Sequence, residues 1–177
     1  VSVKVYHRFN PFIPPGIKIL IIGTFNPDVP CNAAHFYYSR PQNHFWRILP
    51  AVYDYPNLKK ASPAEKQNFL SIHHIGLADL ILSVNVETGC ECNFSDQYLD
   101  DKVLEWFPVE KAILNHPTLK LVAFTRKSFE KIPAIRHRIH QVKSTCQSAS
   151  IAFAFLPTPS RGITDQKLLD WKNVLNI

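Results

Sequence analysis

Methionine is absent from this 177-residue chain, and glycine is scarce, with only five residues. The few glycines form no phosphate-binding loop, no dinucleotide fingerprint and no Gly-x-Ser-x-Gly elbow, which argues against a nucleotide-cofactor enzyme or a serine hydrolase. No apolar run approaches the roughly 20 residues of a membrane helix. No charged-then-apolar leader with a small-residue cleavage site is visible, so a cytoplasmic protein without a membrane partner is expected. A start at Val1 in a chain without Met predicts a trimmed or processed beginning. Four cysteines, at 31, 90, 92 and 146, are too few and too scattered for a disulfide framework, and predict reduced thiols. Eight histidines offer no metal spacing: His73 and His74 are adjacent and face different ways, and His137 and His140 lack a third ligand. No metal is expected.

What is present supports one folded domain over residues 1–177. The hydrophobic content is 46%, with 12 Phe, and a chain of this length buries about 70% of its unfolded surface. The net charge of +6 is unevenly placed. Residues 85–110 carry seven acids against Lys102, and residues 116–145 carry seven bases against Glu130. The basic zone suits phosphate contacts, although a solvated helix face explains it equally well.

Short apolar runs predict strands over Lys18 to Thr24, Leu77 to Val84, Lys120 to Thr125 and Ser150 to Leu156. Helical patterns lie between them. Asn43 can cap a helix through Trp46 and Leu49 toward Pro56. Ser62, Pro63 and Glu65 form a capping-box start. Asp96 to Trp106 and Val109 to His116 predict a helical pair split by Pro108. Ser128 to Val142 carries a helical apolar stripe with Pro133 limiting its start, and Thr164 caps a last helix. Strands alternating with helices predict an α/β fold in three layers, α/β/α, with a central four-stranded, mostly parallel sheet. The stretch Glu87 to Ser95 is the least regular.

Two loops follow buried strands. One contains Gly23, Thr24, Phe25, Asn26 and Pro27, followed by Tyr38, Ser39, Arg40, Pro41, Gln42, Asn43, His44, Phe45 and Trp46. The other runs Leu156, Pro157, Thr158, Pro159, Ser160, Arg161, Gly162. At strand C-termini of a parallel sheet, such loops meet over one pocket. Together they resemble the uracil-DNA glycosylase superfamily, nearest its mismatch-specific (thymine/uracil) and hypoxanthine-DNA glycosylase branches. Gly76 to Asp79 and Leu121 to Thr125 fit the middle of that pattern. Some branches hold an iron–sulfur cluster on two spaced cysteine pairs. Only Cys90 and Cys92 sit close together here, so no cluster and no cofactor is expected.

The resemblance implies a monofunctional DNA glycosylase of base-excision repair. Such an enzyme flips a deaminated or mispaired base, uracil first, out of double-stranded DNA and hydrolyses its N-glycosidic bond. It implies a monomer near the nucleoid. Asn26 precedes Pro27 as in the mismatch-specific branch. In gapless register, however, Phe25 takes the catalytic position, as in the hypoxanthine branch, which relies on the residue matching Asn43. Either Asn26 or Asn43 is the water-positioning residue, since an amide orients water but does not titrate. Gly23, Thr24, Phe25 and Tyr38 are expected at the base, with Tyr38 stacking on it. Pro157, Thr158, Pro159, Ser160 and Arg161 are expected to enter the duplex and grip phosphates, with Arg161 at the tip. Asp79 either faces the pocket or serves as a turn residue. Two alternatives remain: a catalytically inactive nucleic-acid-binding member of the same fold, and a hydrolase of free nucleosides.

Overall fold

The computed structural model describes residues 1–176. In chain order its elements are β1 (Ser2–Tyr6), β2 (Ile19–Gly23), α1 (Phe45–Val52), α2 (Pro63–Ile72), β3 (Ile75–Asp79), β4 (Ile81–Glu87), α3 (Asp96–Leu99), β5 (Val103–Trp106), α4 (Val109–Asn115), β6 (Leu121–Phe124), α5 (Pro133–Ser148), β7 (Ala152–Phe155) and α6 (Asp165–Leu175). The main sheet has the order β3-β2-β6-β7, and all its pairings are parallel. Helices cover both faces, giving three layers.

The layering follows from alternation along β2 and β6. Ile19, Ile21, Leu121 and Ala123 pack on one side against Trp46, Leu49, Phe69 and Trp171, which come from α1, α2 and α6. Leu20, Ile22, Val122 and Phe124 pack on the other side against Ile113, Ile135, Ile139 and Val142 of α4 and α5. A strand buried on both faces must be apolar at every position, which is why these runs are legible. Each fully buried Leu, Ile or Phe contributes about 1.5–3 kcal/mol.

A second, antiparallel sheet with the order β1-β4-β5 flanks the first. It corrects the single strand expected over Leu77 to Val84. The chain leaves the parallel sheet at Asp79 and enters the antiparallel one at Ile81. Leu80 between them donates its N–H to the Gly23 carbonyl at 2.9 Å and accepts from Phe107 N at 2.8 Å. The apolar run is continuous because only the pairing partner changes.

The helix expected over Asp96 to Trp106 is also corrected. It ends at Leu99, and Val103–Trp106 is strand. The buried Asp100 carboxylate accepts from Ala134 N at 3.0 Å and Ile135 N at 2.7 Å, so it caps the start of α5 instead of continuing its own helix. α5 begins at Pro133, the residue expected to limit its start. The Ser62–Glu65 capping box and the Thr164 cap are present.

Candidate active site

All four strands of the main sheet run the same way, so their C-terminal ends share one edge. There the loops after Gly23, Phe124 and Phe155 and the segment Phe94 to Gln97 enclose an open cleft of about 690 Å³. Every residue expected at the site lines it: Gly23, Thr24, Phe25 and Asn26 on one wall, Tyr38 and Asn43 beside them, and Pro157 to Arg161 opposite.

Asn26 is 6% exposed, and its Nδ2 donates to Asp79 Oδ2 at 2.8 Å. The same Oδ2 accepts from His7 Nε2 at 2.7 Å. No protein donor among the described residues reaches Asn26 Oδ1. Asn43 is arranged the other way round: its Oδ1 accepts the Phe45 N–H at 2.9 Å, leaving Nδ2 free. One amide thus presents an acceptor to the cleft, and the other presents a donor.

Tyr38 carries its ring into the cleft from a left-handed backbone, φ 55°. One ring face stacks on Phe45 at 4.0 Å with 5° between planes, and the hydroxyl pairs with Thr125 Oγ1 at 3.2 Å. Only the other face is left for a ligand in the cleft. Burial holds its phenol well above the usual range. Gly23 makes this approach possible, because a Cβ there would lie 2.6 Å from Tyr38 Oη and collide with Asp79 Oδ1. Phe25 lines the cleft, but its ring is 5% exposed and packs edge-on against His7.

Directly beside Thr24, Asp96 Oδ2 accepts from Thr24 Oγ1 at 3.2 Å and from Arg126 Nη1. Burial raises the Asp96 carboxyl above its ordinary value, and Arg126 opposes that shift. Arg40 donates to the Phe25 carbonyl at 3.2 Å and lies over the Phe94 ring at 4.8 Å. Burial lowers its guanidinium pKa.

The chain is 30% identical over 142 residues to a hypoxanthine DNA glycosylase of Methanosarcina barkeri, a match spanning 80% of this chain and 84% of that protein. This protein belongs to the uracil-DNA glycosylase superfamily. Its fold is also that of a Methanosarcina acetivorans protein, known from a solution NMR structure and provisionally described as a uracil DNA glycosylase. The TM-score is 0.68 at 20% identity, covering 97% and 96% of the two chains. No family model matches the chain. It is therefore a monofunctional DNA glycosylase of base-excision repair, with DNA as its partner.

The glycosylase's terminal loop is pinned from both sides. His44 N donates to the Pro159 carbonyl at 2.9 Å, and Trp171 Nε1 donates to the Pro157 carbonyl at 3.0 Å. Lys167 Nζ reaches the carbonyls of Thr158, Arg161 and Gly162 at 2.8–2.9 Å. Ser160 and Arg161 stay exposed at the tip. Of the basic zone, Arg126 and Lys127 line the cleft, whereas Arg138 is committed to Glu110 and the Phe107 carbonyl. That part of the zone is structural.

The expectation of reduced, unpaired cysteines is corrected: Cys31 and Cys92 form a disulfide. The pairing joins loops 61 residues apart in sequence, which spacing alone could not reveal. It ties the segment after Pro27 to the irregular stretch that ends at the Phe94–Asp96 wall. Cys90 is free and exposed. Cys146 is free and buried, its thiol pushed up to about 11 by burial. Among the described residues, no group of three or more His, Cys, Asp or Glu is placed to hold a metal ion, and no helix is long and apolar enough to cross a membrane.

His7, Asp96 and Arg126 were not singled out as site residues from the sequence. In the sequence Asp96 belongs to an acidic run and a predicted helix start, and Arg126 to a basic run. His7 sits just beyond β1, where an isolated bridge pairs it with Pro27, and no local motif surrounds it.

Proposed function

We propose that this glycosylase excises a deaminated base that carries a keto oxygen beside a ring N–H, with hypoxanthine as its first substrate. Uracil presents the same edge. The M. barkeri relative's name moves hypoxanthine ahead of the uracil expected from sequence. The observation that carries the reading is the opposite orientation of the two amides. Asn26 Oδ1, accessible although the residue is buried and without a protein donor, accepts a hydrogen bond from the attacking water and orients the water's lone pair toward C1′. Asn43 Nδ2, with its oxygen already used by Phe45 N, donates to the keto oxygen and to the charge that grows on the departing base. Asp96 Oδ1 is the acceptor for the ring N–H. The base stacks on the open face of Tyr38.

In the reaction, the water oxygen bonds to C1′ as the N-glycosidic bond breaks. The bonding pair leaves with the base, the proton released by the water neutralises the departing base, and an abasic site remains. Pro157 to Arg161 meet the phosphates beside the flipped nucleotide, with Arg161 reaching into the space it vacates. The test is incubation with labelled duplexes containing hypoxanthine, uracil, xanthine or a G·T mismatch, followed by alkaline cleavage at abasic sites. Cleavage is expected with hypoxanthine and, more slowly, with uracil. Cleavage confined to G·T or to xanthine would refute hypoxanthine as the first substrate, and cleavage of none of the four, all of which carry this edge, would refute the edge assignment.

A further inference from the structure

We infer that Asp79 and His7 are positioning residues that fix the Asn26 amide in its water-accepting orientation. The inference rests on the proposal that Asn26 Oδ1 holds the attacking water. An amide has two nearly isosteric ends, so its function depends on which end faces the reactant. Burial alone does not choose between them. A carboxylate does: it only accepts, so Asn26 must turn its NH₂ toward Asp79, because the reverse would set oxygen against oxygen. The bond is 2.8 Å and buried, where an unmatched pair is costly.

Asp79 is itself held. Its Oδ2 takes a second bond from His7 Nε2 at 2.7 Å, and the side chains of His7 and Asp79 are 4% and 2% exposed. The His7 ring is fixed in turn at its other nitrogen. Nδ1 lies 2.7 Å from the Phe9 carbonyl and 3.0 Å from the Phe9 N–H. A neutral imidazole accepts from that N–H, and an imidazolium donates to that carbonyl. In both forms Nε2–H points at Asp79. Tyr37 stacks on the ring at 5.5 Å and Phe25 packs against its edge at 5.8 Å. Three parts of the fold therefore set one amide: the turn after β1, the end of β3, and the segment between β2 and α1, which carries Asn26 together with Phe25 and Tyr37. None of the three polar side chains needs to ionise during the reaction.

The variants separate positioning from packing. Asp79→Leu removes the acceptor at similar volume, and Asp79→Asn keeps a carbonyl oxygen able to accept both bonds. His7→Phe keeps the ring without a donor, and His7→Gln restores one. Single-turnover excision at saturating enzyme should fall about tenfold to a hundredfold in Asp79→Leu and His7→Phe, the range typical when an outer partner that orients a reacting group is lost. Affinity for the same duplex carrying an abasic analogue should be unchanged. Asp79→Asn and His7→Gln should each recover most of the lost rate.

A polarity swap provides the readout that packing alone would not move. Asn26→Asp sets two carboxylates against each other, so one must hold a proton. Adding Asp79→Asn restores a donor facing an acceptor, so the double variant should excise faster than Asn26→Asp alone. The inference is overturned if Asp79→Leu and His7→Phe keep wild-type rates while Asn26→Ala is inactive, or if the double variant is no faster than Asn26→Asp. Wild-type excision by Asn26→Ala would instead remove the reading beneath it. Melting curves for every variant ensure that rates are compared between folded proteins.

Discussion

Replacing Gly23 with Ala tests the floor of the cleft. Gly23 ends β2 directly beneath the Tyr38 hydroxyl and beside Asp79, its partner in the parallel register. An added Cβ would sit 2.6 Å from Tyr38 Oη and 3.1 Å from its Cζ, and would collide with Asp79 Oδ1. An ordinary non-bonded contact needs about 3.5 Å, so roughly an ångström of movement is required. Neither neighbour yields easily. Tyr38 is pressed on Phe45 and bonded to Thr125, and Asp79 holds His7 and Asn26. Overpacking of this kind costs about 1–3 kcal/mol. In a chain of this size that lowers Tm by roughly 2–4 °C per kcal/mol. Because the displaced groups border the reacting centre, the rate should fall further than the stability loss implies, by about a hundredfold for a 1 Å misplacement. Thermal melting and single-turnover excision, the latter at a temperature where both proteins are folded, measure the two effects. An unchanged rate with an unchanged Tm would refute the packing described around Gly23.

Three further outcomes follow from other parts of the molecule. Replacing Cys31 and Cys92 by Ser should lower unfolding free energy by up to about 4 kcal/mol, the chain-entropy value for closing a loop of about 60 residues. Denaturant titration with and without reductant reads it, and identical midpoints would contradict the crosslink. Lys66 is fully buried beside Ser39 and the Trp46 ring, and burial pushes its ammonium down to about 8 from the ordinary 10.5. Since the unfolded chain holds that proton more tightly, stability relative to Lys66→Met should fall as pH drops from 10.5 toward 8 and stay level below it. A flat difference across that window, measured by melting, would contradict the shift. Arg161→Ala should weaken duplex binding and reduce the slope of log affinity against log salt by about one, because a cation that displaces one counterion from the duplex is lost. An unchanged slope would remove Arg161 from the DNA interface.

The sequence announced those parts of the fold whose reasons are local. β2, β6 and β7 were legible as apolar runs ending in polar loops, and Ser62 with Glu65 announced α2 through a three-residue cap. β1 and β5 were not legible, because each is mostly or wholly exposed or half-buried and shows no continuous apolar run. Their strand character comes from β4 between them. The cleft residues were found through motif order. What distinguishes Asn26 from Asn43 lies in hydrogen bonds to Asp79 and Phe45, and spacing cannot express which end of an amide faces a cavity. His7 escaped notice for the same reason, since its partner Asp79 is 72 residues away. The Cys31–Cys92 pair is comparably non-local.

The division of labour between the two amides is tested most directly by single-turnover excision of hypoxanthine from duplex DNA by the wild type, Asn26→Ala and Asn43→Ala, with duplex affinity measured alongside. Loss of an oriented hydrogen-bonding group at a reacting centre costs about 10²–10³ in rate. Asn26→Ala should lose that much for every base excised, with affinity intact. Asn43→Ala should lose discrimination between hypoxanthine and the unmodified bases along with rate. Excision by Asn26→Ala at the wild-type rate would contradict the account, and would leave Asn43 as the residue that positions the water.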